Sequence, residues 1–210
     1  MRYKPGHKEE IRARIVDAAA HMLRERGLAG VSIPNVMRAV GLTHGGFYAH
    51  FDSRDELLVA AVRAAAESTQ QGAIARNQAL KPFLDSYLSP EHAAHPEGGC
   101  VVAAVGSESI REAPDVREAF DIAARRLIHT VQARLPQPDP LQGGGGTGSG
   151  ETTDISVKPE PLQTASFSDE ALSIASRMVG AMMLSRIVTD DELSRRLLEV
   201  ARTLPAAREE

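Results

Sequence analysis

The 210-residue sequence has little of what several protein classes require. It contains one cysteine, which excludes a disulfide framework within the chain. Tryptophan is absent and aromatic residues make up only 4% of the chain, a composition that disfavours a β-sheet protein. No apolar run approaches the roughly 20 residues of a membrane span, and residues 1–10 are polar and charged. We therefore expect a cytoplasmic protein with no membrane partner.

Helix-favouring residues are abundant in the same sequence. Ala, Leu, Val, Arg and Glu are frequent, and 42% of all residues are hydrophobic. A chain of this length buries enough apolar surface to fold without a disulfide or a metal. We expect an all-α protein of about nine helices, with no cofactor.

Charge is distributed unevenly along the chain. Residues 1–52 contain eight Lys and Arg against five Asp and Glu, a local charge of +3, whereas the whole chain carries −4. The other 158 residues therefore carry −7. Only the N-terminal part suits an anionic partner, although a solvated basic face explains its charge equally well.

The first two predicted helices have recognisable start and stop signals. Apolar residues recur at helical spacing from about residue 8 to 26, and Gly27 follows where helices commonly stop. Ser32 can cap a short second helix that ends at Gly41, with Pro34 in its first turn.

A third short element follows from Thr43 to about Phe51. Ser53 and Glu56 then have the spacing of a capping box that opens a long fourth helix. The capped second helix, a tight turn and this short element are spaced as a helix-turn-helix, whose second helix can enter a DNA major groove. An ordinary helix pair joined by a glycine turn has the same spacing.

Residue types in the short element favour DNA binding over simple packing. Small residues permit close approach to a duplex, and hydrogen-bonding side chains among them can contact bases or phosphates. Two adjacent glycines are otherwise unhelpful, because each costs up to about 1 kcal/mol in a helix interior. The candidate contacts are Thr43, His44, Gly45, Gly46, Tyr48 and His50.

Here the sequence resembles the TetR family of bacterial repressors. The run GLTHGGFYAHFDSRDELL resembles the family's signature across helices three and four, and IVDAAAHMLRERGLAGVSIPNVMRAVG resembles its first two helices. The resemblance implies that Thr43, His44 and Gly45 read base edges, that Tyr48 and His50 touch bases or backbone, and that Arg54 contacts phosphate. The predicted DNA-binding residues are Ser32, Asn35, Arg38, Thr43, His44, Gly45, Gly46, Tyr48, His50 and Arg54.

The sequence departs from the family pattern at Gly45 and Gly46, where Lys or Arg is frequent. Direct base readout is then thin, and phosphate contacts carry more of the affinity. The side chains expected to supply them are Asn35, Arg38 and the basic residues Arg2, Lys4 and Lys8.

Residues 1–52 are predicted to form the DNA-binding domain, and residues 53–210 a helical domain for ligand binding and dimerisation. Pro114 opens one long helix of that domain. Residues 136–167 contain five Pro and six Gly and are predicted to form a flexible loop. Two final helices follow at about 168–188 and 190–204, the second opened by a Thr189–Glu192 capping box.

The family resemblance also implies a homodimer that reads a palindromic operator. Apolar residues of the last two helices are candidates for its interface, although they equally suit the core of a monomer. The predicted interface residues are Met178, Met182, Met183, Ile187, Leu193 and Leu197.

Cys100 follows two glycines at the expected start of a helix, where a thiolate would be stabilised and could sense oxidants or electrophiles. A buried cysteine acting as a small hydrophobe is the alternative. The candidate residues of an effector cavity, which simple core packing explains equally well, are Phe83, Tyr87, Cys100, Phe120 and His129.

Two function classes follow from the sequence. The favoured one is a DNA-binding repressor, not an enzyme, released by a small-molecule or oxidant effector. The alternative is a helical enzyme or metal-binding protein centred on His92, His95 and Cys100. We predict neither a catalytic nor a metal site, because these three residues lack a fourth metal ligand and a group to orient a catalytic base.

Overall fold

The computed structural model describes residues 6–71, 79–136 and 167–203, and no residue in these ranges lies in a β-strand. The described chain forms nine α-helices and three short 3₁₀ helices, which confirms the all-α fold. The α-helices are α1 (His7–Gly30), α2 (Ile33–Ala39), α3 (Arg54–Gln71), α4 (Leu80–Tyr87), α5 (Pro90–Ala94), α6 (Val101–Val105), α7 (Pro114–Gln132), α8 (Asp169–Ile187) and α9 (Asp191–Arg202). The 3₁₀ helices are His44–Ala49, Pro96–Gly98 and Gly106–Arg111.

Helix α1 is interrupted at Gly27, the residue at which the sequence predicts its end. Gly27 has φ 76° and ψ 176°, and the chain then makes one more turn to Gly30. A side chain at Gly27 would strain this backbone, and its Cβ would lie 2.8 Å from the Glu108 carboxylate. Glycine is therefore required here for two reasons.

The predicted caps of α2 and α3 are present. The Asn35 N–H donates to Ser32 Oγ at 3.4 Å, and the Glu56 N–H donates to Ser53 Oγ at 3.1 Å. The Glu56 carboxylate accepts in return from the Asp52 N–H at 2.7 Å. These bonds satisfy backbone donors that a helix start leaves free.

Two apolar clusters hold the described chain together. One joins α1, α2, the His44–Ala49 helix and α3 with parts of α6 and α7, and the other joins α4, α8 and α9 with other parts of α6 and α7. Because α3, α6 and α7 supply residues to the N-terminal cluster, that part of the chain packs directly on the rest. The boundary between residues 52 and 53 stays a prediction.

Helix α9 begins one residue later than the sequence analysis supposed. Asp190, rather than Thr189, is its N-cap, and the Asp190 carboxylate accepts from the Leu193 N–H at 2.7 Å. Both residues suit a cap, so only the backbone geometry decides between them. Of the predicted flexible loop, residues 137–166 lie outside the described residues.

No helix in the described ranges has both the length and the apolar character needed to cross a membrane.

Candidate nucleic-acid interface and ligand cavity

The His44–Ala49 helix is anchored on one side and open to solvent on the other. Phe47 is fully buried, and its ring stacks on buried Phe51 with centroids 5.5 Å apart. Tyr48, on the other side, is 59% exposed and meets the His44 and Phe47 rings edge-on. The two phenylalanines thus fix a short helix whose outer face is free to contact a partner.

Most of the predicted DNA-binding residues lie on or near this free surface. Asn35, Arg38, Thr43, His44, Gly45 and Tyr48 are exposed, and Ser32, Gly46 and His50 are partly exposed. The Ser32 hydroxyl is already used as the α2 cap. Of the predicted basic arm, Lys8 lies in α1, whereas Arg2 and Lys4 lie outside the described residues.

The fold does not require the glycine at position 45. A Cβ built there meets no atom within 4 Å, and the residue does not have the positive φ seen at Gly41. A side chain would therefore fit. Because Gly45 has no side chain, a partner can approach its exposed backbone closely.

Two basic residues of α1, Lys8 and Arg12, lie near the C-terminal end of the His44–Ala49 helix. Partial burial, with the nearby Lys8 and Arg12 charges, lowers the pKa of His50 below its ordinary value, so the ring is neutral at pH 7. The Arg12 guanidinium lies 4.4 Å from the Phe51 ring centroid and 3.2 Å from Glu56 Oε1. His50 can thus act as a hydrogen-bonding group beside a basic surface.

Arg54, the predicted phosphate contact, also makes hydrogen bonds inside the protein. Its guanidinium donates to the carbonyls of Leu28 at 2.6 Å and Val31 at 2.9 Å, and it pairs with Glu112 at 3.5 Å. These acceptors lie at the end of α1 and just before α7. Three of the five guanidinium N–H donors are thus used inside the protein, where Arg54 joins the end of α1 to the start of α3, and the phosphate contact stays a prediction.

A narrow cavity lies between α3, α4, α6 and α7. It is small, with about 30 Å³ open to the centre of a water-sized group. Three of the predicted ligand residues, Phe83, Tyr87 and Cys100, line it. The other two do not: Phe120 lines an open groove beside α8, and His129 is exposed on α7.

The predicted alternative centre at His92, His95 and Cys100 is not assembled. His92 is only 6% exposed; its Nδ1 donates to the Tyr87 carbonyl at 2.6 Å, and its Nε2 accepts from the Cys100 N–H at 3.0 Å. Burial lowers the pKa of His92 to about 4, so the ring is neutral. His95 instead faces Glu91 and Glu97 in solvent.

Both ring nitrogens of His92 are thus occupied by backbone groups, which leaves none for a metal. Across the described ranges, no three His, Cys, Asp or Glu residues are grouped so that they could hold a metal ion.

The predicted dimer residues divide between core and surface. Met178 and Met182 are fully buried in the chain's own core, which removes them from the predicted interface, and Met183 is half-buried beside another groove. Ile187 and Leu193 are exposed, and Leu197 is half-buried.

An apolar groove runs between α8 and α9. The sequence analysis missed two of the residues that contribute to it: Leu184 is 49% exposed and Val200 is 63% exposed. Both could have been found from helical spacing, since Leu184 follows Gly180 by four residues and Val200 follows Leu193 by seven.

Comparison with known proteins identifies related sequences and folds. Residues 15–61 match the family described as bacterial regulatory proteins, tetR family. The HTH-type transcriptional regulator BetI of Paraburkholderia phytofirmans is 25% identical over 197 residues, covering 87% of this chain and 98% of BetI.

A crystal structure of a TetR transcriptional regulator from Chloroflexus aurantiacus is 28% identical, covers 93% of this chain and 91% of its own, and has a TM-score of 0.64. The reduced form of NemR from E. coli is 20% identical, covers 92% of this chain and 93% of its own, and has a TM-score of 0.62, a likeness of fold alone.

Proposed function

We propose that the protein is a cytoplasmic repressor which binds a palindromic operator as a homodimer, because the chain belongs to the TetR family of bacterial regulatory proteins. A small-molecule or oxidant effector releases it from the double-stranded DNA. The observation that carries this proposal is the His44–Ala49 helix, with buried Phe47 on one side and exposed Tyr48 on the other.

The two copies of that helix in a dimer contact successive major grooves on one side of the DNA. Their separation must then match one turn of the duplex, about 34–36 Å. An effector acts by binding more tightly to a dimer in which this separation is wrong. Release thus requires an effector site whose occupancy changes the separation of the two His44–Ala49 helices.

The groove between α8 and α9 supports the homodimer. Leu184, Leu193 and Val200 leave large apolar surface in water there, and a second copy related by a two-fold axis would cover it. Gly180 and Ala181 allow the helices of the two copies to approach closely.

Two effector classes are consistent with the cavity. A small molecule can enter it by displacing the mostly apolar walls. An oxidant can act on Cys100, the chain's one cysteine, whose side chain forms part of the wall but is only 4% exposed. Replacing Cys100 by Ser separates them, since only the oxidant response depends on the thiol.

A salt titration of DNA binding tests the proposal. In a gel-retardation assay on the DNA upstream of the protein's own gene, affinity should fall steeply with salt. Arg38→Gln removes one exposed cation per subunit and should lower the log–log slope by about 2, since each phosphate contact contributes about 0.9. Arg125→Gln, which removes a cation from α7, should leave the slope unchanged. Absent or salt-independent binding would contradict the proposal.

Tyr48→Ala gives a second, distinct signature in the same assay. Because Tyr48 is uncharged and exposed, its loss should weaken operator binding by about 1–3 kcal/mol at every salt concentration, with the slope unchanged. The melting temperature should change little. Unchanged affinity would remove Tyr48 from the interface.

A further inference from the structure

The cavity between α3, α4, α6 and α7 has mostly apolar walls. They consist of Ala66, Thr69, Phe83, Tyr87, Cys100, Val101, Val102, Ala123, Arg126, Leu127 and Thr130. The cavity is narrow, since about 30 Å³ of it is open to the centre of a water-sized group. A ligand larger than a few atoms must therefore displace the walls, and it must be flat and mostly apolar to do so.

Tyr87 differs from the other residues of this wall in the hydrogen bonding of its side chain. It is fully buried, and its hydroxyl has no hydrogen-bond partner among the described residues. The Cys100 thiol lies within reach of the hydroxyl, but sulfur is a weak acceptor and does not replace an oxygen or nitrogen partner. A buried hydroxyl without such a partner is costly, and this one is available to a ligand that supplies the missing acceptor.

The other hydroxyls of the cavity are already occupied. Thr69 Oγ1 donates to the carbonyls of Ala65 at 2.9 Å and Gly99 at 3.1 Å. Thr130 Oγ1 donates to the Arg126 carbonyl at 2.8 Å. Tyr87 thus has the one side-chain hydroxyl of the described wall whose hydrogen is free to bind a ligand.

Two arginines lie near this part of the wall, the Glu97 carboxylate offsets part of their charge, and the Arg186 charge acts on Tyr87 itself. Arg24, from α1, reaches the Gly99 carbonyl at 3.5 Å, and Arg186, from α8, reaches the His92 carbonyl at 2.7 Å. Each of these guanidinium groups also has one buried nitrogen without a partner in the described chain. Such a field favours a ligand atom with negative or partly negative charge and disfavours a further donor.

We propose that this cavity binds a small, flat, mostly apolar molecule with one hydrogen-bond-accepting oxygen, to which the Tyr87 hydroxyl donates. This assignment deepens the effector role proposed above and rests on it for its biological meaning. The binding itself can be measured without DNA.

A matched pair of probe molecules tests the hydrogen bond. Acetophenone and α-methylstyrene have the same number of heavy atoms and nearly the same size, but only the ketone has an acceptor oxygen. By calorimetric titration, the unmodified protein should bind acetophenone about 3- to 10-fold more tightly than α-methylstyrene. Tyr87→Phe should bind both compounds equally, because the donor is gone while the apolar wall remains.

Ser185→Ala is the matched control, since it also removes a buried hydroxyl. That hydroxyl donates to the Met182 carbonyl at 2.9 Å and does not line the cavity. The control should keep the preference for acetophenone and have a lower melting temperature, whereas ligand-free Tyr87→Phe should melt at the same temperature or higher. These melting curves also show that both variants are folded.

Two results overturn the assignment: no binding of either compound by the unmodified protein, or a ketone preference that persists in Tyr87→Phe. Neither result bears on operator binding, which the salt titration measures. Conversely, a ketone preference in a protein that binds no DNA would leave the cavity site intact and reject the proposed regulator.

Discussion

His92 shows how a single buried side chain organises the region around the cavity. Its ring is held in one tautomer, because Nδ1 donates to the Tyr87 carbonyl while Nε2 accepts from the Cys100 N–H. The ring also fills the space where a Cβ on residue 99 would lie, so Gly99 cannot be replaced without displacing His92. Protonation of Nε2 would break the bond to Cys100.

The stability of the protein should therefore depend on pH through His92. Unfolded His92 titrates near pH 6.5 and the folded residue has a pKa of about 4. Because the folded pKa is the lower one, the stability held by neutral His92 is complete above about pH 6.5 and is lost as pH falls toward 4. Urea denaturation should show about 2 kcal/mol of this loss between pH 7.5 and pH 5.

His92→Gln and His129→Gln separate this residue from the other histidines. The His92 variant should be less stable at pH 7.5, but it should lose about 2 kcal/mol less than the unmodified protein on acidification to pH 5. The His129 variant changes an exposed ring and should keep the full loss. Equal pH dependence in all three proteins would contradict the assigned role of His92.

At the scale of elements, the end of α1 joins the N-terminal helices to the rest of the molecule. After the break at Gly27, the Leu28 N–H donates to the Glu108 carboxylate at 2.8 Å. Arg54, at the start of α3, holds the Leu28 and Val31 carbonyls. Backbone groups left free by the break are thus satisfied by side chains from two other elements.

Arg54→Lys distinguishes this structural role from a phosphate contact. Lysine keeps the positive charge but cannot reproduce the planar fork that reaches two carbonyls. The free energy of unfolding should fall by about 1–3 kcal/mol, measured by urea denaturation, while the salt slope of DNA binding stays the same. Arg38→Lys, at an exposed position, should leave stability unchanged.

One result for Arg54→Lys would contradict the structural role of this side chain. Unaltered stability would reject the internal contacts as the main role of the guanidinium.

At the scale of the whole molecule, the α8–α9 groove is where a second copy is expected to pack. Its exposed apolar residues are too close together to be explained as isolated surface side chains. In the proposed dimer each copy supplies one His44–Ala49 helix, so we expect operator affinity to depend on the dimer as well as on the helix itself.

Val200→Glu should break the dimer. It places a charge on a side chain that is 63% exposed in the single chain but buried in the proposed interface. Sedimentation should show a shift from dimer to monomer, and operator affinity should fall by about tenfold or more. The monomer should stay folded, since the side chain contributes little to its core.

Ile110→Glu is the matched control, because Ile110 is 68% exposed and lies outside the groove. It should sediment as the unmodified protein does. A Val200→Glu protein that remains dimeric would reject this groove as the interface.

The sequence by itself determined the features that depend on short-range chemistry. The helical composition, the caps at Ser32 and Ser53 and the glycine at the end of α1 were all readable, because each depends on neighbours a few residues away. The family resemblance rested on one such local stretch, residues 8–60, and the comparisons confirmed it.

Only the tertiary structure decided which long-range partners each side chain meets. Arg54 contacts α1 carbonyls more than 20 residues away, Met178 packs inside the protomer, and His92 bonds to backbone groups rather than to a metal. Helical spacing gives the face on which a residue lies but not what covers that face. The unpartnered Tyr87 hydroxyl likewise follows from the packing of several helices around it, which no local pattern encodes.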